Sequence, residues 1–348
     1  MDASSLMAFV GKAISDVGSA LAASMVVIGD RLGLYRELAA AGPLTSAELA
    51  QRTGTAERYI REWLAAQAAV GYLTHEGGGK FRLPPEQATA LTDESSPACV
   101  IGAFELAVAS MQATDRITEA FRTGAGVSWG EHHRDLYEGC ERFFRPGYLN
   151  NLTAHWIPAL EGVEAKLRRG AKVADVGCGF GASTILMAKA FPRSQFVGFD
   201  PHAPSVDAAR KRAAEAGVAD RVRFETATAK TFPGKYDLVT LFDCLHDMGD
   251  PEGACVHVRS SLQPDGTLML VEPFAADSLD GNLNPVGAAY YAFSTLLCTP
   301  NSLSQEVGAA LGAQAGEATL RAIAHRAGFT GFRRAAETPF NIVLEARP

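Results

Sequence analysis

The chain has 348 residues, 47% hydrophobic and 20% charged, with 34 glycines and 17 prolines; this is globular composition, too long for one ordinary core, and it excludes a disordered, fibrous or disulfide-stapled protein. Thirty-two Lys and Arg against 39 Asp and Glu leave a net charge of −7, so a surface built to grip nucleic acid is not expected. Six cysteines, at 99, 140, 178, 244, 255 and 298, form no CxxC pair, which suits reduced thiols in a cytoplasmic protein.

From about residue 6 to 40 the pattern is helical, with Leu21, Met25, Ile28, Leu32 and Leu38 near one face that could meet a partner. Asp2, Lys12 and Asp16 interrupt its apolar run, so the segment reads as a packing helix and not as a leader. The run Ala98 to Met111, with Glu105 inside, falls short of a membrane span, and no membrane association is expected. Thr45 and Glu48 have capping-box spacing, which starts a helix near Ser46. Tyr59, Ile60, Trp63, Leu64 and Val70 mark the apolar side of a second helix that Gly71 stops. Tyr72 to Thr74, Gly77 to Gly79 and Lys80 to Leu83 then read as strand, turn, strand. Two helices followed by a hairpin is the winged-helix order.

Residues 86–165 are mostly helical, with breaks expected at Gly124 to Gly130 and at Arg145-Pro146-Gly147. Beyond about 170, strands and helices alternate: Lys172 to Val176, Phe196 to Asp200, Val222 to Thr226, Leu238 to Asp243 and Thr267 to Glu272 are short apolar runs. Phe332 to Ala336 and Asn341 to Ala346 are joined by a link too short for a crossover helix, so one strand of the sheet should run antiparallel. The expected division is a helical and winged-helix region over 1–95, a helical connector over 96–165, and an α/β Rossmann-like domain over 166–348.

The segment Asp175-Val176-Gly177-Cys178-Gly179-Phe180-Gly181 is a strand running into a glycine-rich turn and then an amphipathic helix. Glycines there let backbone approach a ligand. The next strand ends at Asp200, 19 residues past Gly181, where a carboxylate can accept from both hydroxyls of a ribose. Turn plus acid reads as a site for an adenosine-containing cofactor. Gly177, Gly179 and Ala182 also fit a dinucleotide fingerprint, so an NAD-type site is the competing reading.

Asp175 two residues before the first glycine, the two-residue spacing of Gly179 and Gly181, and the final hairpin together resemble class I S-adenosylmethionine-dependent methyltransferases. That resemblance implies a seven-stranded sheet with an antiparallel last strand and S-adenosylmethionine as cofactor. It implies that Asp175, Gly177, Cys178, Gly179, Phe180 and Gly181 underlie the methionine and ribose portions. Asp200 would hold the ribose hydroxyls and Pro201 with His202 would flank adenine. Thr228 stands where many relatives carry an Asp for the adenine amine, with Ala229 beside it; Asp243 and Cys244 complete the implied set.

The fourth strand runs into Asp243-Cys244-Leu245-His246-Asp247, at the end of a parallel sheet where ligands sit. Methyl transfer to a hydroxyl requires removal of its proton, and histidine titrates near neutrality. Leu245-His246-Asp247, then Asp250, a helix and Leu270-Val271-Glu272, resembles the corresponding segment of O-methyltransferases of the caffeic-acid and polyketide-tailoring kind, with Met248 in place of the usual Trp. The resemblance implies His246 as base and Glu272 as the acid that holds its ring, with Glu306 as a possible second acid. His246 capping a strand end is the plain alternative. No metal is expected, because His246, Glu272, Asp243 and Glu306 lack compact ligand spacing. His132 and His133, being adjacent, are expected on a solvated surface.

Tyr290, Tyr291, Phe293, Leu296 and Leu297, between the fifth strand and the last helix, suit either a cover over a flat or apolar acceptor or ordinary packing. Phe143, Phe144, Tyr148 and Trp156 allow the same two readings. A winged helix also raises a ligand-sensing DNA regulator, but Glu57 and Glu62 balance Arg58 and Arg61 on the would-be recognition helix. The resemblance instead implies a homodimer through the front domain. The expected reaction is methylation of a small hydroxyl-bearing molecule, with carbon methylation of an enolisable acid, or N-methylation, as alternatives.

Overall fold

In the computed structural model, which describes residues 1–348, the Thr45 hydroxyl accepts the Glu48 N–H while the Glu48 carboxylate accepts the Thr45 N–H. The helix Ser46–Thr53 therefore starts where its capping box directs. It belongs to a unit made of residues 1–109 and 138–146, and the remaining residues, 110–137 and 147–348, form a second unit. The 96–165 stretch is thus divided between the two.

In the first unit, helices Ser46–Thr53 and Glu57–Ala69 are followed by β2 (Thr74–Gly77) and β3 (Lys80–Arg82), and β1 (Leu44–Thr45) joins them in the antiparallel order β1-β3-β2. Leu34, Tyr35, Leu49, Ile60, Trp63 and Leu64 are buried together. The Trp63 indole N–H donates to the Met25 carbonyl at 2.8 Å and the Tyr35 hydroxyl to Gln67 at 2.5 Å, so both large rings also satisfy their polar ends.

The expected helix over 6–40 is two helices, Ala3–Arg31 and Leu34–Ala41, because Gly33 takes a left-handed φ of +69°. Its buried side is also not the large-residue side. Ala22, Ala23, Val26 and Val27 face inward, whereas Leu21, Ile28 and Leu32 are exposed, as are Phe9 and Ile14 at 67% and 68%. Small residues win the inner face because they let the helix lie close to its neighbours.

A second difference concerns Arg145-Pro146-Gly147, which lies within the helix Arg134–Asn151 instead of ending one. Two close approaches and an ion cluster hold that helix. A Cβ on Gly102 would fall 2.4 Å from the Arg142 backbone, and one on Gly139 would fall 2.6 Å from Leu106 N, so the helices cross backbone to backbone. From this crossing Arg142 donates to Asp30 and Glu105, both at 2.9 Å, and to Glu94 at 2.7 Å, while Arg145 also reaches Glu94. Burial alone would lower the Arg142 pKa, but the carboxylates around it reverse the shift and raise it.

The second unit is built on a sheet ordered β6-β5-β4-β7-β8-β10-β9. Its strands are β4 (Lys172–Val176), β5 (Gln195–Asp200), β6 (Val222–Thr226), β7 (Tyr236–Phe242), β8 (Leu262–Pro273), β9 (Gly331–Glu337) and β10 (Asn341–Arg347). The first five are mutually parallel, and β10 runs antiparallel to both β8 and β9. Val176, Phe199, Leu241, Leu270, Leu320 and Ile342 belong to one buried cluster about the sheet. Strand order reverses between β4 and β7, so the loops after these two strands open on the topological switch point, where such sheets bind ligands.

Arg142→Ala would leave three carboxylates facing one another in a part-buried site, and we expect a loss of about 3 kcal/mol. Urea unfolding followed by circular dichroism measures it; Arg142→Lys, which keeps the charge but not the fork, should lose less.

Candidate active site

Three glycines bend the chain after β4. Gly177 and Cys178 both donate their N–H to the Phe199 carbonyl, at 2.8 and 3.1 Å, which ties the turn to the end of β5. Gly177, Gly179 and Gly181 have φ of +77°, +51° and +79°, a region costly for any residue with a Cβ. A Cβ on Gly177 would lie 2.7 Å from Cys244 Sγ and one on Gly181 2.5 Å from the Phe224 ring, whereas at Gly179 nothing lies within 4 Å. The middle glycine therefore borders open space.

Beside it, Asp200 accepts from Gly179 N–H at 2.9 Å with one oxygen and from His202 N–H at 2.8 Å with the other. Burial raises its pKa and those two bonds oppose the rise. Each oxygen keeps a lone pair free, so two acceptors stand ready next to a backbone cradle. This donor and acceptor set fits the ribose of an adenosine-containing cofactor.

Asp175 is fully buried. One oxygen accepts from the Ser183 and Thr184 hydroxyls, both at 2.6 Å, and the other from Thr240 at 3.0 Å. Burial pushes its pKa up while the hydroxyls pull it down. Its geometry is that of an anchor: it pins the first turn of the helix Ala182–Ala190 to β4 and β7.

The other predicted contacts differ in setting. Cys178 is buried, and the Arg212 guanidinium lies 4.7 Å from the Phe180 ring centroid. Pro201 is exposed; the His202 ring shares a hydrogen bond of 2.8 Å with Ser205 and lies 4.8 Å from the Tyr137 ring. Thr228 is exposed, with its hydroxyl 2.9 Å from that of Thr231, and Ala229 is half-buried. Cys244 donates its thiol to the Val176 carbonyl at 3.4 Å.

Asp243 follows β7 with φ +50°, an uncommon conformation for a residue with a side chain and one that clusters at functional sites. Its carboxyl accepts from the Asn341 amide at 2.7 Å and the Tyr148 hydroxyl at 3.1 Å. Burial, followed by the nearby Glu272, pushes its pKa well above the usual carboxylate range.

His246 sits on a single 3-10 turn, Leu245–Asp247, and is 4% exposed. Its Nδ1 lies 2.5 Å from one oxygen of Glu272, whose other oxygen accepts the Leu245 N–H at 2.9 Å. In the neutral ring with Nδ1–H donated to Glu272, Nε2 would carry the lone pair. Burial would lower the ring's pKa, but the Asp247 and Glu272 carboxylates outweigh it and raise it.

Glu306 is not the second acid: its side chain is 86% exposed and it lies 3.5 Å from Lys230. Asp247 takes that place, with Oδ1 at 3.2 Å from His246 Nε2. The reason is local, since residue 247 is carried on the same turn as the ring whereas 306 follows the end of the helix Thr299–Leu303.

His132 also departs from expectation, being 8% exposed, with burial lowering its pKa. Adjacent residues do diverge, so His133 alone reaches solvent and accepts the Asp135 N–H at the start of the helix Arg134–Asn151.

Sequence reasoning missed three contributors that no motif marks, Asn341, Asn301 and Cys298, and left Tyr148 between two readings. Tyr148 and Asn341 hold Asp243. Asn301 accepts the Trp129 N–H at 3.0 Å and donates to the Asp247 carbonyl at 3.2 Å. Cys298, buried, approaches His246 and Asp247 from the insertion after β8. Within that insertion Tyr290 is buried, its hydroxyl donating to the Phe340 carbonyl at 2.8 Å, so it packs and does not line a cover.

The chain matches the family profile described as "Methyltransferase domain" over residues 167–314 and that described as "Rv2258c-like winged HTH domain" over residues 20–93. The acetylserotonin O-methyltransferase of Mus musculus molossinus is 29% identical, with 97% of this chain and 88% of that protein aligned. The O-demethylpuromycin-O-methyltransferase of Streptomyces alboniger is 29% identical over 70% of this chain and 66% of its own length. Human N-acetylserotonin methyltransferase in complex with SAM superposes with a TM-score of 0.73 at 17% identity, covering 100% of this chain and 98% of that one. The mitomycin 7-O-methyltransferase MmcR gives 0.72 at 22%, covering 99% and 100%; at such identities the two structures speak for the fold. With the glycine cradle and Asp200 at the switch point of a seven-stranded sheet, these matches make the chain a class I S-adenosylmethionine-dependent methyltransferase with an N-terminal winged-helix domain.

Proposed function

We propose that this enzyme methylates a hydroxyl of a small, aromatic or apolar molecule, with His246 as general base and Glu272 orienting it. The observation that carries the reading is the buried His246–Glu272 pair at 2.5 Å. Glu272 fixes the tautomer that leaves Nε2 free, and its charge stabilises the imidazolium that forms when Nε2 takes the hydroxyl proton. Bound S-adenosylmethionine supplies a methyl carbon made electrophilic by its sulfonium. In this reading the backbone of residues 177–181 and the Asp200 carboxylate hold that cofactor, with Pro201, His202, Thr228, Ala229, Asp243 and Cys244 around it. The relatives named for O-methylation of acetylserotonin and O-demethylpuromycin support the acceptor class.

The front domain serves, in the same reading, as a homodimer interface in a cytoplasmic enzyme. Phe9, Ile14, Val17 and Leu21 are each more than half exposed along the helix Ala3–Arg31, an apolar strip that a second copy would cover. DNA reading gains no support from the helix Glu57–Ala69, whose Arg58 and Arg61 pair with Glu62 and Glu57 at 2.6 and 2.8 Å.

Labelled S-adenosylmethionine with a panel of phenols and keto acids tests the chemistry. His246→Ala should lower kcat by roughly 10²- to 10⁴-fold while cofactor binding, measured by calorimetry, stays intact; undiminished turnover removes the base assignment. Asp200→Ala should do the opposite, weakening cofactor binding by about tenfold or more for the loss of charged acceptors. Light scattering should give twice the chain mass for the wild type and the single mass for an Ile14→Glu, Leu21→Glu double variant.

A further inference from the structure

Residues Ser294–Cys298 form a π-helical turn between the helices Pro285–Phe293 and Thr299–Leu303. Turns of this kind recur at functional sites. This one ends on Cys298, which with His246 and Asp247 offers a sulfur, a nitrogen and an oxygen that all lie within 4.8 Å of one another.

Two further observations point to a ligand for this cluster. Asp247 Oδ1 is buried without a hydrogen-bond partner, although it lies 3.2 Å from His246 Nε2. Its approach to the ring is close but not aligned as a hydrogen bond. In addition, Glu272 holds Nδ1, the arrangement by which carboxylates orient metal-binding histidines.

The geometry suits a tetrahedral ion. Two atoms bound at about 2.1 Å to such an ion sit about 3.4 Å apart, close to the nitrogen–oxygen separation already present. A thiolate bound at about 2.3 Å would sit about 3.6 Å from either, so from within 4.8 Å the sulfur needs to move in by about 1 Å at most. Nitrogen, oxygen and sulfur together select zinc over magnesium or calcium, which prefer oxygen alone.

We propose that His246, Asp247 and Cys298 bind a zinc-class divalent cation, and that its binding reversibly blocks methyl transfer. The Cys298 thiol releases its proton to solvent as the sulfur–metal bond forms, His246 Nε2 donates its lone pair, and no electron changes hands. Asp247, 22% exposed at its side chain, gives the ion a route in. With Nε2 occupied, the acceptor's proton has nowhere to go. The block rests on the base reading above, whereas the binding does not.

The test uses reduced, chelator-treated full-length protein titrated with Co²⁺ and then Zn²⁺. One equivalent of Co²⁺ should bind with a near-ultraviolet thiolate-to-cobalt absorption, and Zn²⁺ should displace it. Cys298→Ala and the nearly isosteric Cys298→Ser should both lose the absorption, and competition with a chromophoric chelator should give at least tenfold weaker Zn²⁺ binding for both and for Asp247→Asn. Thermal melts identify any variant that has not folded. Absorption that persists in both Cys298 variants, or no stoichiometric uptake by the wild type, overturns the site. Zn²⁺ should also abolish wild-type turnover and a chelator restore it; uptake with turnover unchanged overturns the block while leaving the site standing, and that outcome is separate from any failure of His246→Ala.

Discussion

One carboxylate does two jobs at the end of β8. Glu272 takes the backbone N–H of Leu245 with one oxygen and the ring of His246 with the other, so a single side chain sets both the path of the loop after β7 and the orientation of the imidazole. Because it is 1% exposed, water does not compete for either bond, and the low local dielectric strengthens both. The rest of the sheet serves this contact: β7 and β8 are adjacent and parallel, in a register that pairs Phe242 with Val271, which brings residues 245 and 272 to the same edge.

The cofactor side is organised differently. There, in the proposed reading, the backbone would present the binding surface, and the side chains beneath it hold its shape. Asp175 is held by three hydroxyls, and Phe224 and Cys244 occupy the spaces that Cβ atoms on Gly181 and Gly177 would need. The His246 side is held by charge and the glycine turn by conformation, so in the proposed reading changes on the two sides are expected to affect different kinetic quantities.

The parts legible in the sequence were those written in local pattern. The Thr45–Glu48 cap, the glycine turn and the placing of Asp200 lie in short segments whose periodicity or spacing carries meaning, whereas the pairing of His246 with Glu272 was implied by the resemblance to O-methyltransferases. What the sequence concealed depends on contacts far apart along the chain. Asn341 reaches Asp243 across 98 positions and Asn301 reaches Asp247 across 54, and neither stands in a motif. The inner face of the first helix went unmarked for a related reason: amphipathic pattern identifies an apolar side but not which neighbour covers it, and here the alanines turn inward while Leu21, Ile28 and Leu32 stay exposed. Pro146 misled because a helix end is only a local preference, which the Arg142 cluster and two glycine crossings override.

The placement of β10 has a bearing on how the enzyme comes into being. This strand, residues 341–347, lies between β8 and β9 and begins with the amide that holds Asp243. A chain emerging from the ribosome can form the glycine turn and pair β5 with β4 and β6 long before residue 341 exists. The site at β7 and β8 lacks this support until residues 341–347 have been made, and the pairing that supplies it joins segments about 70 residues apart, a slow kind of contact to close. The two sides of the site are thus completed in order along the chain, the glycine turn from segments made early and the surroundings of Asp243 only when the interior strand β10 enters the sheet.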